Sequence, residues 1–200
     1  MSAVGPAMLR VAGQVADGVL LHPFSTRRYL AEESLARIGE GLERNSRKRH
    51  EIDVVSGAFI ATGKDDEAVA RMKEYIRFRI SFYCSTRAYW NVLRLHGLEE
   101  LGEKLRPFPA AGRWSGMAAQ IPDDIVELFA VVGRHDELAS KIAQKYEGLA
   151  DTLSLFVSTD TEPGPLGEVM QDIQRIPATY TGYAKEPPRA AAYLSATYLN

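Results

Sequence analysis

The chain has 200 residues, of which 46% are hydrophobic and 25% charged, and its formal net charge is −2. This is the composition of an ordinary globular protein, one domain or one domain with a tail, and it lacks the basic stripe a nucleic-acid-binding surface needs. The single cysteine, Cys84, excludes an intramolecular disulfide framework. No apolar run reaches the roughly 18 residues of a membrane span, and no secretory leader pattern opens the chain, so a cytoplasmic location is expected.

The chain begins with a short extended piece that turns at Gly5-Pro6, and proline just inside a helix start is preorganised for that position. Met8, Leu9, Val11, Ala12 and Val15 then follow helical spacing. Asp17-Gly18 ends the helix, and Val19-Leu20-Leu21 is an all-apolar run of the kind found in buried parallel strands. A loop, HPFST at 22–26, leads into an amphipathic helix over 27–44. The basic run RNSRKRH at 44–50 lies where that helix ends and reads as a solvated helix end rather than a phosphate patch. Residues 52–62 (IDVVSGAFIAT) are rich in β-branched side chains and predict a strand. The turn at 63–66 opens a helix that reaches residue 96, with a break near Ser85-Thr86. Cys84 falls in its apolar part and reads as a buried, inert thiol.

Residues 98–120, with Pro107, Pro109 and three glycines, read as an irregular insert. Pro122-Asp123-Asp124 opens a helix over 125–132; Gly133 interrupts it, and Asp136 restarts it as far as Tyr146. TLSLFV at 152–157 is the last strand, and one short helix follows over 168–176. The pairs Asp65-Asp66, Asp123-Asp124 and Glu32-Glu33 resemble catalytic carboxylates but sit at or near helix starts, where capping explains them better. The four histidines show no metal-ligand spacing, and neither a dinucleotide fingerprint nor a phosphate loop occurs.

Strands alternating with helices predict an α/β protein whose parallel sheet is covered by helices. Three strands and a stub are too few for a closed barrel, which takes about 250 residues. A sheet that small would leave open edges. The chain therefore reads as part of a larger fold. The run at 3–10 (AVGPAMLR), then Ala12-Gly13, then VADGVL at 15–20, resembles a stretch of the luciferase-like monooxygenase superfamily. The likeness continues in order through Ala61-Thr62-Gly63, Phe82-Tyr83 and FAVVG at 129–133, and it is nearest the branch that uses the deazaflavin coenzyme F420. The resemblance implies a partial TIM (β/α)₈ barrel: strands six to eight plus the tip of strand five, with outer helices. It also implies a division into a barrel part at 1–158 and a C-terminal extension at 159–200 with one short helix.

What the resemblance implies for function is a flavin- or F420-dependent oxidoreductase, transferring hydride or inserting oxygen on a small organic substrate. Coenzyme F420 is the expected cofactor and FMN the alternative. Glycine admits a phosphate close to the backbone, and the following helix start offers unpaired N–H groups. The family holds the cofactor phosphate at this turn, which designates Ala3, Gly5, Pro6 and Ala7. The loop after the next strand adds His22, Thr26 and Arg27 as cofactor contacts. No catalytic residue is designated, because most of the family's ring- and substrate-binding loops precede the matched segment. A homo-oligomer, or pairing with a separate N-terminal half, is expected. The rival readings are a non-catalytic half-barrel module that pairs with another subunit, and a truncated remnant.

Overall fold

The computed structural model describes residues 1–155 and 163–182. Among these, five strands form one sheet in which every pairing is parallel: β1 (Ser2–Ala3), β2 (Gly18–Leu21), β3 (Asp53–Gly63), β4 (Ala130–Arg134) and β5 (Thr152–Leu155). The first helices are α1 (Pro6–Val15), then α2 (Arg27–Tyr29), which passes through a π-helical turn (Leu30–Leu35) into α3 (Ala36–Arg44). After β3 come α4 (Asp66–Cys84), α5 (Trp90–Leu95), α6 (Glu99–Leu105), α7 (Pro107–Ala110) and α8 (Asp123–Phe129). α9 (His135–Tyr146) joins β4 to β5, and α10 (Pro163–Ile173) packs on α9. No described helix is long and apolar enough to cross a membrane.

The α/β reading holds, with more strands than the sequence suggested and a different arrangement at one point. The order is β1-β2-β3, after which both later strands join β3: β5 pairs with residues 55–58 and β4 with residues 59–63. β3 can serve both because it is 11 residues long. The segment expected as the end of a helix, Ala130-Val131-Val132-Gly133, is strand β4. Four apolar residues in a row fit either period. The β-branched pair and the unpaired second half of β3 decide for the strand. The insert at 98–120 is less irregular than expected: α6, α7 and two 3-10 turns bury Leu105 and Met117 beside Trp90 and Leu93. The break after Cys84 is where the sequence placed it, with Trp90 Nε1 donating to the Cys84 carbonyl at 2.8 Å. The division at 158/159 falls outside the described residues.

Register fixes the two faces of the sheet. Ala3, Leu21, Ser56 and Leu153 form one cross-strand row toward the helices, and Val19 and Val54 belong to the same side. The alternate row, Ser2, Leu20, Val55 and Thr152, faces away from the helices, and Leu20 is 43% exposed there. Of the apolar inner face that a half barrel would be expected to leave uncovered, Val19, Leu21, Val55 and Phe59, only Val55 is not buried. Val19 and Leu21 are buried under α1 and α3, and Phe59 is buried against α4. Leu20 joins Val55 on the face that is left bare.

Helices α1 and α3 cross in direct backbone contact. A Cβ on Gly13 would overlap the Ile38 carbonyl oxygen, and one on Gly41 would overlap that of Arg10. This crossing seats α1 over β1 and β2, and so fixes the turn in front of it. The basic run after α3 is consumed structurally: Arg47 donates to the Gly13 carbonyl at 3.0 Å and Arg49 pairs with Asp151 at 2.7 Å. The acidic pairs are likewise spent on caps and ion pairs. Asp65 accepts from Ala68 N at 2.8 Å, Glu32 pairs with Arg28, Glu33 with Arg37, and Asp123 with Lys73 and Arg77.

Candidate cofactor site

β1 and β2 both end one residue before the next cross-strand row, Val4, His22, Gly57 and Ser154. β3 continues past that level, because the chain leaving β2 crosses it at Gly57. A Cβ there would lie 2.8 Å from Pro23 Cδ, so only glycine leaves room for the crossing. The chain turns away from the two strand ends at Val4-Gly5 and at His22-Pro23. A cleft opens between these turns, lined by Ala3, Gly5, His22 and Ser25, and by Tyr89 and Asn91 from the segment after α4.

Gly5 has φ 84° and ψ 156°, a backbone conformation that requires glycine, and no described residue beyond its chain neighbours lies within 4 Å of where its Cβ would be. The glycine is there for its torsion, and the space in front of it is open. Pro6 follows at the first helical position, and α1 has neither a side-chain cap nor an acidic residue in its first turn. The amides of Ala7 and Met8 therefore have no acceptor within the helix and sit at the positive end of its dipole. Facing the same cleft, Ser25 is buried and its hydroxyl has no hydrogen-bond partner among the described residues. A buried hydroxyl left unmatched costs about 1–3 kcal/mol, which a ligand acceptor would recover.

His22 occupies the other wall. Its Nδ1 accepts a hydrogen bond from Phe24 N at 3.1 Å, so the neutral ring carries its proton on Nε2. Burial, and then the nearby Arg79 guanidinium, lower its pKa below the usual histidine value. At neutral pH His22 is a neutral donor rather than a cation. Its ring lies 4.5 Å from that of Tyr89 and edge-on to Tyr83 at 4.7 Å.

Residues 1–152 match the luciferase-like monooxygenase family. The chain belongs to that family. An uncharacterized protein of Mycobacterium tuberculosis is 37% identical over 176 residues, covering 88% of this chain and 51% of that protein. A 5,10-methylenetetrahydromethanopterin reductase of Methanopyrus kandleri is 29% identical over 146 residues, covering 72% of this chain and 40% of the reductase. Among solved structures, the coenzyme F420-dependent tetrahydromethanopterin reductase of M. kandleri superimposes with a TM-score of 0.65 at 22% identity, over 88% of this chain and 48% of that one. An F420-dependent secondary alcohol dehydrogenase, solved with an F420–acetone adduct, gives 0.60 at 12% identity, over 86% and 47%. The chain thus spans about half the length of these relatives.

Of the seven residues designated from the luciferase-like resemblance, the fold brings Ala3, Gly5 and His22 to one cleft, with Pro6 and Ala7 exposed at its rim. Thr26 and Arg27 lie elsewhere. Thr26 is buried and its Oγ1 caps α2, accepting from Tyr29 N at 3.1 Å while sharing a 2.8 Å hydrogen bond with His96 Nε2. Arg27 donates to the Glu147 carbonyl at 3.4 Å and lines an open groove between α2, β4 and α9. Sequence reading missed Ser25, Tyr89 and Asn91. Ser25 sat in the loop already singled out, whereas Tyr89 and Asn91 arrive from more than sixty residues away with no local motif. Cys84 is buried, and burial pushes its thiol up to about 12. No group of three or more potential metal ligands occurs among the described residues.

Proposed function

We propose that the chain is the C-terminal half of a luciferase-like (β/α)₈ barrel, carrying the tip of strand five and strands six to eight, which serves an F420-dependent oxidoreductase acting on a small organic substrate. The observation that carries this reading is the open turn at Gly5-Pro6-Ala7, an uncapped helix start facing the unmatched Ser25 hydroxyl. These groups fit a phosphate: two backbone amides and one hydroxyl, with the helix dipole behind them. Coenzyme F420 is preferred over FMN because relatives of solved structure are named as F420-dependent. A bound deazaflavin would supply the hydride chemistry. The Ala7 and Met8 amides and the Ser25 hydroxyl would donate to the phosphate, and the neutral His22 would bring its Nε2–H to the ring side of the cleft. The barrel part is read as 1–158 and the extension as 159–200.

Half of the site would come from elsewhere. The bare sheet face, with Val4 50% and Leu20 43% exposed, and the exposed stripe Met8, Val11 and Val15 on α1 favour pairing with a complementary N-terminal half. On that second reading the isolated chain is a non-catalytic module.

Titration calorimetry with FMN, riboflavin and F420 tests the cofactor reading. Each charge–dipole contact of an exposed helix start contributes only about 0.3–1 kcal/mol. FMN and F420 are therefore expected to bind weakly, alike and with salt sensitivity, and riboflavin not measurably. Ser25→Ala should weaken binding several-fold, and Gly5→Val should remove it by forcing the turn out of its torsion. Equal affinity for riboflavin and FMN would overturn the phosphate assignment.

A further inference from the structure

The amine of Lys145 is a nucleophile for which the cofactor cleft has no use. It stands in the last turn of α9 and is buried, yet it lines the open groove between α2, β4 and α9, a space of about 980 Å³. Its Nζ donates to the Leu128 carbonyl near the end of α8 at 3.2 Å, and the centre of the Tyr146 ring lies 5.9 Å away. No carboxylate is paired with it among the described residues. Burial lowers its pKa from 10.5 to about 7, so much of the amine is free base at neutral pH. A buried lysine without a counter-ion is costly to keep protonated, and its free base is the form that attacks a carbonyl carbon.

The same groove holds a cation with spare donors. Three of its basic side chains are already paired: Arg28 with Glu32, Arg134 with Asp66, and Lys141 with Glu137. Arg27 is exposed and has no ion pair among the described residues. It donates to the Glu147 carbonyl at 3.4 Å, which places its guanidinium beside the backbone two residues beyond Lys145. That bond occupies one of five N–H donors, and the others suit a carboxylate or phosphate. The groove thus combines a nucleophilic amine on one wall with an anion-binding fork on the other.

We propose that Lys145 is a covalent binding site for aldehydes that carry an anionic group, the amine forming an imine while Arg27 receives the anion. The amine lone pair attacks the carbonyl carbon to give a carbinolamine. Its oxygen then leaves as water with the two hydrogens of the amine, and a C=N bond replaces C=O, with no change of oxidation state. The inference does not rest on the cofactor reading, because Lys145 and Arg27 lie outside that cleft.

The test treats the full chain at pH 7.5 with 4-carboxybenzaldehyde or benzaldehyde, traps imines with cyanoborohydride and maps them by peptide mass spectrometry. Lys104, which is exposed, is the internal reference, so the intrinsic reactivity of each aldehyde cancels. Lys145 should be labelled by the carboxylated aldehyde at least tenfold faster than Lys104, whose amine is almost wholly protonated at this pH. With benzaldehyde the ratio should fall several-fold. In Arg27→Ala the two aldehydes should give the same ratio, and Arg27→Lys should keep part of the difference; circular dichroism melts establish that both variants are folded. Labelling of Lys145 no faster than of Lys104 would reduce it to a structural cap on α8 and overturn the proposal. So would an equal ratio for the two aldehydes in the parent, or a preference for the carboxylate that survives unaltered in Arg27→Ala.

Discussion

Lys145 gives the fold a measurable pH dependence. It lies on α9, is 9% exposed, and donates to the Leu128 carbonyl at 3.2 Å, with no carboxylate paired to it among the described residues. Burial lowers its pKa from 10.5 to about 7. In the unfolded chain lysine titrates near 10.4. Between pH 7 and 10 the unfolded state therefore holds a proton that the native state has released, and stability rises with pH across that window. Below pH 7 both states are protonated and the full cost of the buried charge is present. At about 1.4 kcal/mol per tenfold change in proton affinity, the displacement is worth up to about 5 kcal/mol. Relaxation around the charged amine lowers this in practice, so about 5 kcal/mol is the ceiling and a smaller rise is expected. Above pH 10 the trend reverses, because burial raises the Tyr146 phenol and the unfolded tyrosine ionises first. Urea denaturation at pH 6.5, 8 and 9.5 measures the curve. Lys145→Met should flatten it, stabilising the chain at pH 7 and changing little at pH 9.5. A parent curve that is flat over this window, or a Met variant that is less stable at pH 7, would refute the reasoning.

Three further outcomes are expected. Gly41→Ala should lower the unfolding midpoint, because a Cβ that overlaps the Arg10 carbonyl costs about 1–3 kcal/mol of overpacking against about 1 kcal/mol of helix propensity. Gly39→Ala on the same helix meets no other described residue within 4 Å and should stabilise by up to about 1 kcal/mol, so calorimetric melts of the pair should move in opposite directions. Cys84 should resist a thiol reagent in native buffer and react fully in denaturant, and rapid native labelling would contradict its burial. Light scattering over a concentration series should show association through the bare sheet face and the Met8, Val11 and Val15 stripe, reduced by Leu20→Asp. A stable monomer at all concentrations would count against the half-barrel reading.

How much of this was legible in the sequence depends on what each signal measures. The β1 turn, α1 and β2 could be read because a glycine-proline pair and a change of hydrophobic period mark them locally. The facing of β2 could not. Val19, Leu20 and Leu21 are all apolar, so alternation carries no information, and a shift of one residue exchanges the two faces. β4 was hidden for the opposite reason: Phe129 to Val132 is apolar enough for a helix, and only the unpaired half of β3, seventy residues earlier, makes it a strand. Both failures arise where tertiary pairing decides between two locally equal choices.

The site shows the same division at the scale of one residue. Gly5 was legible because its role is a backbone torsion, which glycine announces. Ser25 and Thr26 are adjacent hydroxyls in one loop, and sequence reading chose Thr26 as the ligand contact. Helix α2 begins at Arg27, so residue 26 is obliged to be the N-cap and its hydroxyl is consumed by Tyr29 N. The residue before it is freed from that duty, and the chain's exit from β2 turns Ser25 toward the cleft. Reading the helix boundary first, as a claim on a particular hydroxyl, would have moved the assignment by one position. A capping residue and a binding residue share the same chemistry, and what separates them is which unsatisfied amide lies closer.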